Sequence, residues 1–137
     1  MNTFSDVLAR HNVDIPEHLI ADAEVPVISD RIQAQGDLLI IPMRTGKIAG
    51  LVPVPTEGVA VVVGENGGNT HWLSADGPVT YKLDTSSSAE VASVEVGEGA
   101  TAFVIHTDEH GANAMGPGQY TIRRQQEQAD AIRLVRD

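Results

Sequence analysis

Five histidines carry most of the chemistry this chain could perform. His71 follows a glycine-rich stretch, GENGGNT, and His106 and His110 enclose Thr107, Asp108 and Glu109 in the run FVIHTDEHGAN. Imidazole and carboxylate are the common protein ligands of zinc, iron(II), manganese and nickel. Drawn together, His71, His106, Glu109 and His110 would hold one divalent transition metal, and an open position on it could activate water or take a substrate oxygen. Without a metal, the same histidines reduce to one proton-transfer group or to exposed turn residues. Other chemistries find less support. The chain has no cysteine, which removes disulfides, iron–sulfur ligation and thiol catalysis. No serine lies in a G-x-S-x-G elbow. Residues 64–69, GENGGN, lack the lysine and hydroxyl of a phosphate-binding loop and run into THWL, so they read as a hairpin turn.

The histidines need elements to position them. Residues 1–23 read as a short helical arm, with Phe4, Val7, Leu8 and His11 at i, i+3, i+4, i+7. Asn2 or Ser5 could cap it, and a second helix could start near Asp14 with Pro16 in its first turn. His11 and His18 then take structural or surface roles. From Val25 the period becomes two. Candidate strands are residues 25–29, 37–43, 59–63, 70–73, 79–83, 91–96, 101–106 and 119–125, rich in Val, Ile and Thr and bounded by Gly, Pro, Asn and Asp. His106 ends one of them, and Glu109, His110 and Gly111 form the turn that follows. Period two in the last strand puts Tyr120 and Ile122 on one face, expected to be buried. The fold class is therefore mainly β: residues 24–137 as one small antiparallel barrel or sandwich, with the helical arm at its N-terminus.

Length and charge narrow the partners. A chain of 137 residues fits one domain. Nineteen acidic against nine basic residues give a net charge of −10, which repels phosphate backbones and anionic lipid. Two Phe, two Tyr and one Trp leave no stacking platform for single-stranded nucleic acid. Four of the nine basic residues fall in residues 123–137, where they form a solvated strand edge or pair with an acidic face of this or a neighbouring subunit. No apolar run approaches the roughly 18–20 residues of a membrane span, and no secretory signal is visible. The expected setting is cytoplasmic, or a virion if the chain is phage-encoded. Neither nucleic acid nor membrane is an expected partner, and a homo-oligomer or larger protein assembly is.

Four segments occur in fixed order: GDLLIIPM at 36–43, GENGGNTHWL at 64–73, HTDEHG at 106–111 and GPGQYTIRRQQE at 116–127. This order resembles a group of small, mostly uncharacterised proteins of bacteria and their phages. Their pattern runs G-D-apolar-apolar-x-P, a T-G-H-x-H loop, H-x-E-H, and P-G-x-Y-x-V-x-x-Q-x-E before a short V-x-D tail, with a cupin-like layout. The resemblance covers residues 36–137 and implies a metal-binding barrel. His71 matches the second histidine of the H-x-H loop, Asn69 stands in place of the first, and His106, Glu109 and His110 match H-x-E-H. Two function classes follow. One is a cupin-like metal-binding protein, enzyme or sensor. The other is a structural or assembly protein, such as a phage capsid-decoration or other virion component.

Overall fold

Branched aliphatic residues alternate along most of the strands beyond Val25, and they line the interior between two facing sheets. The computed structural model describes residues 3–9, 25–43, 46–63, 70–84, 90–106 and 111–125. Along the chain these form α1 (Phe4–Ala9), β1 (Val27–Ile28), β2 (Gln33–Gln35), β3 (Leu38–Met43), β4 (Val52–Pro53), β5 (Val59–Val62), β6 (His71–Asp76), β7 (Val79–Leu83), β8 (Glu90–Val96), β9 (Thr101–His106), β10 (Gly111–Met115) and β11 (Gly118–Arg124). One sheet has the order β1-β10-β9-β6-β5 and the other β2-β3-β11-β8-β7-β4. Pairing is antiparallel throughout, except for the short parallel pair of β1 with β10. The two sheets share no strand, so the body is a sandwich and not a closed barrel.

The glycine-rich turn signals divide into two kinds. Gly36, at φ 58°, closes the tight β2–β3 hairpin in which Gln35 pairs with Leu38. The segments around Gly77, Gly97–Gly99 and Gly116–Gly118 instead carry the chain from one sheet to the other. These corners are tight: a Cβ on Gly77, itself at φ 90°, would lie 3.1 Å from the Ala100 side chain.

Inside the sandwich, Leu38, Ile40, Leu73, Val94, Val104, Met115, Tyr120 and Ile122 are all buried in one cluster. The face carrying Tyr120 and Ile122 is thus the inward one. β9 is buried on both sides. Its Ala102 and Val104 join the inner cluster, while Phe103 and Ile105 belong to a second cluster with Val7 and Leu8 of α1, Val25 and Ala114. α1 therefore seals the outer face of the first sheet. Thr3 caps it: Thr3 Oγ1 accepts from the Asp6 amide and Asp6 Oδ2 accepts from the Thr3 amide, each at 3.1 Å; Asn2 lies outside the described residues. The second helix expected from Asp14, with His11 and His18, lies outside the described residues. Among the described residues, no helix is long and apolar enough to cross a membrane.

Candidate functional site

His71 is the first residue of β6 and His106 the last of β9, and the register sets them directly opposite each other. Both point inward, on the same face as Leu73 and Val104 one step further along their strands. They are buried, at 0% and 1% exposure, and their rings stack with centroids 4.1 Å apart and planes 9° from parallel. Gly111 of β10 continues the row beside His106, and a Cβ there would meet nothing within 4 Å.

β2, on the opposite sheet, reaches across to this pair with two buried glutamines. Gln33 Nε2 donates to the Ala114 carbonyl at 3.0 Å. Gln33 Oε1 therefore accepts from Asn113 Nδ2, at 3.1 Å. Asn113 Oδ1 in turn accepts from Gln35 Nε2 at 2.8 Å, and the same amide donates to the Val104 carbonyl at 2.7 Å. That leaves Gln35 Oε1 facing His71 Nδ1 at 3.0 Å. A backbone carbonyl only accepts, so Ala114 and Val104 fix which way every amide in this relay points. An amide oxygen also only accepts, so Nδ1 of His71 must carry its hydrogen. In the neutral ring the lone pair then lies on Nε2. That nitrogen faces Oδ1 of Asp37, in the β2–β3 turn, at 3.5 Å. The His71 side chain is fully buried, while that of Asp37 is 64% exposed.

Imidazole lone pairs lie in the ring plane. Two nearly parallel rings send theirs side by side, and a single ion cannot lie in both planes. In this arrangement one histidine can ligate and the other can only pack against it. Glu109 and His110 lie outside the described residues. Among the described residues, no group of three or more His, Asp or Glu side chains could hold a metal ion. A shallow groove of about 340 Å³ lies at the other end of the sandwich, beside Glu95, Glu98 and Gln119. Gln119 Nε2 already donates to Glu95 Oε1 there, at 3.0 Å.

Residues 34–125 match a family described as a domain of unknown function, DUF8820. The chain belongs to that family. No curated protein and no solved structure gives a significant match. The DUF8820 span includes Gln35, Asp37, His71, His106 and Asn113, and it leaves α1 and β1 outside. Of the site residues read from the sequence, the two that are described come together, in a stack. The relay and Asp37 were missed. Their one trace in the sequence of this DUF8820 member is the alternation Gln33-Ala34-Gln35 ahead of Gly36-Asp37, which reads as a turn approach and not as a strand with polar residues facing in.

Proposed function

We propose that this protein binds one divalent transition metal at the histidine end of the sandwich. The observation that carries the reading is the amide relay, which pins the His71 hydrogen on Nδ1 and leaves Nε2, beside Asp37, as the ligand atom. Metal-ligating histidines are held in this way by an acceptor on the second nitrogen. A buried polar chain of this kind is costly unless every member is satisfied, and here it ends on a group able to bind. Glu109 and His110, next along the chain from His106, are the candidates for further ligands, and zinc, iron(II), manganese and nickel are the candidate ions. The test is elemental analysis of purified protein, followed by calorimetric titration with each ion. Stoichiometric binding that weakens in His71→Ala and falls with pH supports the reading, since a protonated imidazole cannot ligate. Absence of binding for all four ions overturns it.

A second reading, an assembly component, draws support from apolar residues at the sheet margins. Val52 on edge strand β4 is 49% exposed and Val63, just beyond edge strand β5, is 72% exposed. A homo-oligomer burying these residues would show in the solution mass, and Val63→Asp would then shift it toward the monomer.

A further inference from the structure

We propose that Asp37 is the second ligand of this metal site, paired with His71, and that His106 holds the His71 ring without touching the ion. The inference rests on the metal reading above and adds to it a residue that no ligand motif in the sequence contains. Two ligands each about 2.1 Å from a tetrahedral ion stand about 3.4 Å from each other. His71 Nε2 and Asp37 Oδ1 are 3.5 Å apart. With Nδ1 carrying the hydrogen, the neutral form of His71 would turn a lone pair toward the carboxylate, and a cation between the two would convert that repulsion into two bonds. Asp37 supplies the compensating negative charge and borders solvent. The parallel stack keeps the His106 lone pairs out of the His71 plane. Gln35 is a positioning residue: it touches His71 Nδ1 and not the ion.

The test is a titration of the metal-free full chain with cobalt(II), read by its visible ligand-field bands and followed by displacement with zinc. Asp37 sits in an exposed turn where asparagine is equally at home, so Asp37→Asn should fold with unchanged thermal stability. It should lose more than about 100-fold in affinity, beyond the roughly 10–100-fold typical of outer-shell changes. Asp37→Glu should recover part of that loss. Gln35→Met should weaken binding by about 10–100-fold and, in ¹⁵N spectra of the metal-free protein, let the His71 hydrogen redistribute between its two nitrogens. His106→Phe, which keeps a flat ring on the stack, should leave affinity and spectrum intact. If the unaltered chain binds cobalt and Asp37→Asn binds it equally well, or His106→Phe abolishes binding, the ligand assignment fails while the metal reading stands. If the unaltered chain binds neither ion and both His71 nitrogens carry hydrogens near neutral pH, the two residues form an ion pair, and both proposals fall.

Discussion

At the scale of single residues, Tyr120 shows how a polar group can tie a corner together. It is 1% exposed, and its hydroxyl donates to the Gly116 carbonyl four residues back, at 2.7 Å. This is the arrangement of a tyrosine corner, here at the crossing from β10 to β11. A Cβ at Gly116 would displace Ser29 Oγ, which also bonds Tyr120. Tyr120→Phe should cost about 1–3 kcal/mol in urea denaturation, since it strands a buried carbonyl. Burial pushes the Tyr120 hydroxyl pKa above its usual value of 10.0, partly offset by the Ser29 bond. A raised folded pKa means this contribution is complete below the unfolded value and is lost as pH rises through the folded one. The stability gap between the native chain and Tyr120→Phe should therefore hold to about pH 10 and narrow above it. Tyr120 was legible because it alternates with Ile122 on one face of a strand. Asp37 and the relay were not, since a search for ligand motifs passes over amides, and the meaning of Gln35 depends on a histidine 36 positions away.

At the scale of elements, period two found the strands whose inner face is apolar and lost the rest. β3, β7, β9 and β11 fall within a residue of their expected bounds because Val, Ile and Leu mark their buried positions. β2 inverts that pattern, with Gln33 and Gln35 buried and Ala34 exposed. β10 is GANAM, with no branched residue, and takes its place from pairing with β9 and not from propensity. Of the three strands absent from the expected set, the two-residue β4 lies at a sheet edge, and β2 and β10 carry the relay. Two substitutions separate these roles. Ile122 is fully buried at the centre of its sheet, between Ile40 and Ala92. Ile122→Ala should cost about 2–5 kcal/mol as a core truncation, measured by equilibrium unfolding. Asn113→Ala, in contrast, removes the link between the two glutamines. It should cost about 1–3 kcal/mol while leaving the His71 hydrogen on Nδ1 in ¹⁵N spectra, because the Val104 carbonyl still holds Gln35 in place.

At the scale of the whole molecule, the question is what α1 contributes to a body that the family boundary already excludes it from. The family match starts at residue 34, past α1 and β1; the expectation to be tested is that residues 1–23 are an arm on a self-sufficient β domain. Yet Val7 and Leu8 are fully buried against Phe103 and Ile105 of the strand that carries His106 and Ala114 of its neighbour β10. Each such side chain contributes about 1.5–3 kcal/mol when buried, against the 5–15 kcal/mol of total stability usual for a domain. Removing residues 1–23 should thus leave a single cooperative transition with a lower midpoint, the loss amounting to about 3–6 kcal/mol. The inner cluster between the sheets is untouched by the deletion, and it supplies the cooperativity. Chemical denaturation of the shortened chain, followed by far-UV circular dichroism and Trp72 fluorescence together, checks this. Trp72 packs against the same outer cluster as α1, so its emission should shift to the red in the native baseline while the two transitions coincide. A non-cooperative transition would show that the arm is part of the core.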